Sequence, residues 1–158
     1  MRDDLASRLQ ALEDREAIRD LIARYGPLAD GGEAGDLAQL WTSDGIYAVG
    51  GMGEAQGHTA IAGLIEGAVH QRLMQDGCAH VLSPIAIELD GDDAVAVGYS
   101  VVFRHDAGEF VVERVSANRW SLQRGPRGWQ VHRRDNALLD GTAAARALLS
   151  LPAARRRR

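Results

Sequence analysis

The stretch EFVVERVSANRWSLQ, residues 109–123, decides the fold. β-Branched and aromatic residues dominate it, and Gly108 and Gly125-Pro126 bound it, so the pattern predicts a long β-strand. Because the side chains of a strand alternate between its two faces, one face carries the even-numbered residues: Phe110, Val112, Arg114, Ser116, Asn118, Trp120 and Leu122. This face is apolar at both ends and polar in the middle.

A buried polar side chain without a partner costs about 1–3 kcal/mol. We therefore expect the even face to line a polar pocket inside a sheet, where Ser116, Asn118 and Trp120 contact a ligand. In the alternative interpretation the odd face, with Val111, Val115 and Ala117, is buried and the even face is solvated. That alternative would leave Phe110, Trp120 and Leu122 in water.

The rest of the chain reads as helices first and strands afterwards. Apolar residues recur at threes and fours over residues 4–25, which predicts a helix that Gly26-Pro27 breaks or kinks. Further helices are predicted over residues 37–41, 60–72 and 143–151. Strands are predicted over residues 46–49, 78–89 (interrupted at Ser83-Pro84), 94–104, 109–123 and 129–136. The last four strands form an antiparallel meander, and the fold class is α+β, a curved sheet wrapped over helices as a cone.

Composition narrows the possible functions. Arg155 to Arg158 hold four of the 18 basic residues, so the other 14 stand against 22 acidic ones, a poor surface for nucleic acid. The basic residues are all arginine, which excludes lysine Schiff-base chemistry. No apolar run reaches membrane-spanning length. We expect one domain over residues 1–151, a disordered arginine-rich tail over residues 152–158 and a cytoplasmic protein.

Asp30 and His80 are the candidate catalytic pair. His80 lies on a predicted strand, where it could be a packing residue. Asp30 ends the first helical segment, where a carboxylate is unfavourable against the helix dipole and requires compensation. A carboxylate that orients a histidine is the simplest general-base arrangement. His105 either shares the inward face of its strand or is solvated at the following turn, and both possibilities stay open.

The sequence predicts neither a metal site nor a cofactor site. His58, His70 and His132 have no ligand spacing, and Cys78 is the single cysteine. The glycines near residue 50 lack the Lys-Ser/Thr pair of a phosphate-binding loop.

Several motifs resemble the SnoaL-like branch of the nuclear-transport-factor-2-like superfamily. They are REAIRDLIARY at 15–25, Leu28-Ala29-Asp30, LAQLWTSD at 37–44, GHTAI at 57–61, Ala79-His80 and GWQV at 128–131. The resemblance covers roughly residues 10–138 and implies a cone-shaped α+β barrel. This superfamily holds dehydratases, isomerases, epoxide hydrolases and binding proteins, so that fold alone does not imply function.

Within this superfamily the chain is most similar to scytalone dehydratase and hexachlorocyclohexane dehydrochlorinase. The resemblance implies that Asp30 and His80 are the catalytic pair, with His105 near the second histidine. It also implies substrate contacts from the Ser116-Ala117-Asn118 run and from Tyr25 and Tyr47. Two departures are Ala29, where the dehydratase has a tyrosine, and the interruption at Gly26-Pro27.

Three functions follow as expectations. The first is a cofactor-independent lyase of dehydratase type, which performs β-elimination on a small apolar or cyclic organic substrate. The second is a non-catalytic module that binds a small ligand or forms oligomers. The third is an isomerase or epoxide hydrolase. The resemblance also implies a homo-oligomer, with a trimer favoured over a dimer, and no nucleic-acid or membrane partner.

Overall fold

A computed structural model describes residues 2–152 of the chain. The helices are α1 (Arg2–Ala23), α2 (Tyr25–Asp30), α3 (Ala34–Ala38), α4 (Gly57–Glu66), α5 (Ala68–Asp76) and α6 (Ala143–Ala147). The strands are β1 (Trp41–Val49), β2 (Gly53–Gln56), β3 (Cys78–Leu82), β4 (Ala86–Asp90), β5 (Asp93–Asp106), β6 (Glu109–Gly125) and β7 (Gly128–Leu138).

The strands form one curved, mixed sheet that does not close. Its order is β2-β1-β7-β6-β5-β3, and β4 also pairs with β5. The α+β fold class is confirmed. The predicted four-stranded antiparallel meander is only part of a larger sheet, because β1 also joins it, parallel to β7. The sequence placed a helix over residues 37–41, whereas Trp41 opens β1 and is completely buried. A tryptophan there gains more from the core than from a short helix.

The core lies between the sheet and helices α1 to α4. Its members include Ile18, Ile22, Leu37, Trp41, Ile61, Trp120, Leu122 and Val131. Only the second half of α1 contributes, because Leu5, Leu9 and Leu12 are more than half exposed. The break after α1 falls at Arg24, earlier than predicted, since Pro27 lies in the first turn of α2, where a missing N–H costs nothing.

The long strand contains a β-bulge, so its even-numbered residues do not all lie on one face as predicted. Val102 pairs with Arg114 but Phe103 pairs with Val112, so Glu113 is the extra residue. The alternation therefore reverses at Glu113. Ser116, Asn118, Trp120 and Leu122 are buried as predicted, whereas Phe110 and Val112 are exposed.

Two predicted elements are each divided in two. The helix predicted over residues 60–72 ends at Gly67, which separates α4 from α5. The strand predicted over residues 78–89 becomes β3 and β4, which pair with different halves of β5. Gly98 of β5 permits the crossing between them, because a Cβ there would lie 3.0 Å from Ile85 and Ser83.

No helix within residues 2–152 combines the length and the apolar character that crossing a bilayer requires. Of the predicted disordered tail over residues 152–158, all but Pro152 lie outside the described residues. The expected homo-oligomer stays a prediction.

Candidate active site

Asp30 and His80 meet where α2 packs against β3. Asp30 is the last residue of α2, and His80 lies in the middle of β3. The two elements approach closely at Gly26, where an added Cβ would lie 2.2 Å from the backbone oxygen of His80. Only glycine leaves room for this packing, which places the Asp30 carboxylate over the strand.

The Asp30 carboxylate accepts three hydrogen bonds. The His80 ring donates through Nδ1 to Oδ1 at 2.6 Å, and the His80 backbone N–H donates to Oδ2 at 2.7 Å. The Cys78 thiol also donates to Oδ1, at 3.4 Å. Because an ionised carboxylate only accepts, the proton of the His80 ring lies on Nδ1. Nε2 is then the free acceptor, and His80 lines a cavity.

These contacts shift the pKa values of two groups. Burial alone would raise the pKa of Asp30, but hydrogen bonds from the His80 ring and backbone lower it below its ordinary value. Burial and the nearby Asp30 charge raise the pKa of the Cys78 thiol to about 11. At neutral pH the Asp30 carboxylate is therefore charged and the Cys78 thiol beside it is neutral.

The cavity has a volume of about 410 Å³, the size of a small-molecule site. Its wall is largely apolar, with Leu64, Ile65, Val69, Leu73, Leu82 and Val102 among the residues that form it. Its polar members include His80, His70, Tyr25, Tyr47, Ser116 and Arg134. Met52 and Leu138 also line it and are about half exposed, so they mark its opening.

Arg134 is a buried cation in the cavity wall. Its guanidinium lies 4.0 Å, 4.6 Å and 4.2 Å from the ring centroids of Tyr25, Tyr47 and Trp120. Nε and Nη2 donate to the Asn118 side-chain oxygen, at 3.0 Å and 2.7 Å. Nη1 is buried and has no partner among the described residues, and none of their carboxylates pairs with Arg134. Arg134 thus brings to the cavity wall a positive charge that pairs with no carboxylate within residues 2–152.

The two tyrosines whose rings contact this cation bond each other through their hydroxyls, at 3.3 Å. Burial raises the pKa of Tyr47 well above its ordinary value, although the Arg134 charge opposes the shift. Tyr47 therefore keeps its proton and can donate a hydrogen bond into the cavity.

A polar network from the long strand supports the cation. Asn118 donates to Ser100 at 2.8 Å and accepts from Asn136 at 2.9 Å in addition to Arg134. Arg114 donates to Ser116 and to Asn136. The polar middle of the strand is thus satisfied internally, as a buried polar face requires.

The predicted site residues separate into three groups. His80, Tyr25, Tyr47 and Ser116 line the cavity, with Asp30 bonded to His80. Asn118 and Trp120 lie directly behind the wall, where both contact Arg134. His105 is exposed outside the cavity, against Phe110 at 5.3 Å between ring centroids. The expected inward face of this strand was wrong: the even-numbered residues of β5, such as Ala96, Ser100 and Val102, are the buried ones, so His105 lies on the outward face.

Sequence reasoning missed Arg134 and His70. Arg134 follows a second bulge, in β7 itself: Ser121 pairs with Arg133 but Leu122 pairs with Val131, so His132 is the extra residue and the alternation shifts there. His70 follows the break at Gly67, whose extended backbone interrupts the helical periodicity between α4 and α5. The bulge has no recognisable signal in the sequence, whereas Gly67 is one for the helix break, because glycine is unfavourable inside a helix.

Asp30, Cys78 and His80 could also be considered as metal ligands. Their ligand atoms lie within 4.8 Å of one another. A metal ion would have to replace both the Asp30–His80 proton and the Cys78 proton, and the raised pKa of Cys78 opposes the second loss. The hydrogen-bonded pair fits these residues better than a metal site does.

Comparisons with known proteins agree with this fold. The model of the SnoaL-like domain matches residues 10–135. A crystal structure of an NTF2-like protein with a cystatin-like fold from Novosphingobium aromaticivorans shares 58% identity and a TM-score of 0.92. The match covers 94% of this chain and 97% of that one.

More distant structures share the fold alone. A protein from Catenulispora acidiphila, solved in complex with S-DNPA, has 23% identity and a TM-score of 0.69 over 80% of this chain and 94% of that one. ActVI-ORFA from Streptomyces coelicolor has 18% identity and a TM-score of 0.68 over 79% of this chain and 96% of that one. A comparison with curated proteins gave no match.

Proposed function

The chain belongs to the SnoaL-like family, and we propose that it is a lyase of dehydratase type. It acts on a small, mostly apolar cyclic compound that carries a carbonyl group. His80 removes a proton from the carbon next to that carbonyl, and a leaving group departs from the neighbouring carbon. The hydrogen bond between Asp30 and His80, 2.6 Å long at the wall of an apolar cavity, is the observation that carries the proposal.

Asp30 orients the base. Its carboxylate holds the Nδ1 proton and also the backbone of the same residue, so the ring cannot turn without losing a hydrogen bond. Nε2 then presents its lone pair to the substrate, which is the geometry that a general base needs. General-base catalysis supplies about 10²–10⁴-fold of rate.

The tyrosines and Arg134 stabilise the charge that proton removal creates. As the C–H bond breaks, its electron pair moves toward the carbonyl oxygen, which becomes an enolate. Hydroxyl donors from Tyr25 and Tyr47 bind that oxygen, and the Arg134 cation lies behind their rings. A fixed positive charge in the wall of a largely apolar cavity stabilises such an oxyanion more strongly than it would in bulk water.

Collapse of the enolate completes the reaction. Its electron pair forms the carbon–carbon double bond and the leaving group departs with the electrons of its own bond. No redox partner is needed for this balance. The distant relative from Catenulispora acidiphila was solved in complex with S-DNPA, which supports a ligand-binding role for this fold.

The test is turnover of β-substituted cyclic ketones, followed by the absorbance of the conjugated enone. We expect His80→Gln to lower kcat/KM by about 10²–10⁴-fold, and Asp30→Asn to lower it as well. His105→Gln is the matched control, because His105 is exposed outside the cavity and should not affect the rate. Equal rates for wild type and His80→Gln would overturn the proposal.

A further inference from the structure

His70 is a second histidine of the cavity. Its ring lies 5.3 Å from the His80 ring, centroid to centroid, and the residue is only 7% exposed. It projects from α5, whereas His80 projects from β3, so the two rings approach the cavity space from a helix and from the sheet.

A single hydrogen bond fixes the state of the His70 ring. Nε2 lies 2.7 Å from the backbone oxygen of Ala29. Because a carbonyl oxygen only accepts, Nε2 carries a proton. Nδ1 has no hydrogen-bond partner among the residues that the structure describes. This nitrogen is therefore left for a ligand: it accepts from a hydroxyl group when the ring is neutral and donates when the ring is protonated.

Ala29 also ties His70 to the base. It immediately precedes Asp30 in α2, so one turn of helix holds His70 through its backbone and His80 through a side chain. The spacing of the two rings is thereby set by a single element.

We propose that His70 binds the leaving hydroxyl group of the substrate and protonates it through Nδ1, so that the substrate class is the cyclic β-hydroxy carbonyl compounds. This inference rests on the proposed function and specifies it as dehydration. A hydroxide ion is a poor leaving group, and an acid that donates to its oxygen is worth about 10²–10⁴-fold. A halide leaves without such a proton.

The step balances in protons and electrons. His80 Nε2 takes the proton from carbon, the new double bond forms, and the carbon–oxygen bond breaks with its electron pair on oxygen. The Nδ1 proton of cationic His70 goes to that oxygen, which departs as water. His70 becomes neutral and keeps its Nε2 proton on Ala29. Transfer of a proton from His80 to His70 through cavity water restores both rings.

Other ionisable groups line the same cavity as His70, so a pH profile of activity would report several groups at once. They are His80, Tyr25, Tyr47, Glu113, Arg114 and Arg134. Asp30 lies behind His80. Substitution of His70 at a fixed pH therefore measures its contribution to the rate more directly than a pH profile does.

A leaving-group comparison tests the inference. β-Hydroxycyclohexanone and β-chlorocyclohexanone differ only in the group that departs. We expect His70→Gln to lower kcat/KM for the hydroxy compound by about 10²–10⁴-fold and to leave the chloro compound nearly unchanged. Glutamine keeps an N–H that can reach the Ala29 oxygen. His80→Gln should lower both rates alike.

The outcomes separate the two proposals. If His70→Gln lowers both rates equally, or neither, while His80→Gln abolishes both, then the inference fails and the proposed function stands. If His80→Gln has no effect on either compound, the proposed function fails, and His70 loses its assigned role with it.

A binding measurement on the wild type tests the contact between His70 and a hydroxyl group without turnover. It can be used even if His70→Gln does not fold. Nitrogen NMR of labelled protein follows Nδ1 of His70. The cyclohexanediol obtained by reducing β-hydroxycyclohexanone offers a hydroxyl donor and cannot eliminate, whereas cyclohexanone offers none. We expect the Nδ1 resonance to move with the diol alone. An identical response to both compounds, or to neither, would overturn the inference.

Discussion

At the scale of single residues, the reactivity of the Cys78 thiol reports the charge of the neighbouring Asp30 carboxylate. Cys78 is the single cysteine, it donates to Asp30, and its pKa is raised to about 11 by burial and by that carboxylate. Thiolate is the reactive form, so we expect slow alkylation of the wild type at pH near 8. Asp30→Asn removes the charge and should increase the rate with iodoacetamide several-fold, as mass spectrometry would measure.

Asp36→Asn is the control for that experiment. Asp36 is exposed on α3 and has no hydrogen bond to Cys78, so its loss should leave the alkylation rate at the wild-type value. An unchanged rate in Asp30→Asn would mean that the carboxylate does not control the thiol, against the geometry described above.

Arg134 and Arg124 are two arginines that differ in whether they pair with a carboxylate, so substitutions of them can be compared. Arg124 bonds Asp14 through two nitrogens, at 2.6 Å and 3.0 Å, whereas Arg134 has no carboxylate among the described residues. Breaking a charge pair leaves the partner charge uncompensated, whereas loss of Arg134 leaves no carboxylate behind, and the Asn118 oxygen keeps its hydrogen bond from Asn136. We expect Arg124→Met to lower the free energy of unfolding by about 1–3 kcal/mol with elimination activity kept.

Arg134→Met should show the reverse pattern. We expect a free energy of unfolding within about 1 kcal/mol of wild type, together with a large loss of kcat/KM, because the enolate loses its cation. Urea unfolding and enone absorbance measure the two effects. If Arg134→Met were fully active, the oxyanion role would be wrong.

Some of the site was predictable from sequence and some was not. The residue run REAIRDLIARY, with Asp30 after it and His80 beyond it, indicated the pair, and the structure brings the two side chains together. Tyr25, Tyr47 and Ser116 also line the cavity. Arg134 and His70 were missed because each follows an irregularity, a bulge or a helix break, that changes which face a residue lies on.

At the scale of elements, Gly26 sets the distance between α2 and β3. A Cβ there would lie 2.2 Å from the His80 oxygen, and the neighbour is backbone that cannot turn aside. We expect Gly26→Ala to lower the free energy of unfolding by at least about 1–3 kcal/mol, the usual cost of overpacking. Because the same contact holds Asp30 over His80, activity should fall too.

Gly63→Ala is the matched control in helix α4. A Cβ at Gly63 meets nothing within 4 Å, and alanine is the better helix former by about 0.5–1 kcal/mol. The two variants should therefore shift the urea midpoint in opposite directions. A neutral Gly26→Ala would contradict the close approach of α2 and β3.

The elements themselves show which patterns sequence can carry. The long strand at residues 109–123 was predicted because β-branched residues and flanking glycines are local features, and β6 contains it entirely. The parallel pairing of β1 with β7 was not predicted, since it joins residues 41–49 to 131–136 across most of the chain. Local pattern contains no information about that register.

At the scale of the whole molecule, Asp14 connects the first helix to the far end of the sheet. It accepts from Trp129 of β7 at 3.0 Å and from Arg124 of β6. Burial would raise its pKa, but hydrogen bonds from Trp129, Gln10 and Arg124 lower it below the ordinary value of 3.8. Asp30 is shifted in the same direction.

A lowered pKa in the folded state gives a defined pH dependence. The stabilisation is complete above the unfolded value near 3.8 and is lost as pH falls through the folded value. We expect Asp14→Asn to be less stable than wild type by about 1–3 kcal/mol at pH 7. The difference should shrink as the pH falls below that value, in urea unfolding across pH. A constant difference would contradict the ionised, paired state of Asp14.

The central claim is that His80 removes a proton from carbon next to a carbonyl group. Exchange of such protons for deuterium in deuterium oxide measures proton removal alone, because it requires no leaving group. We would incubate a panel of cyclic ketones with wild type, His80→Gln and His105→Gln and follow the proton NMR signals. We expect wild type and His105→Gln to accelerate exchange over buffer, and His80→Gln to fall by about 10²-fold or more. Equal exchange by His80→Gln and wild type, or no acceleration of any ketone by wild type, would contradict the claim.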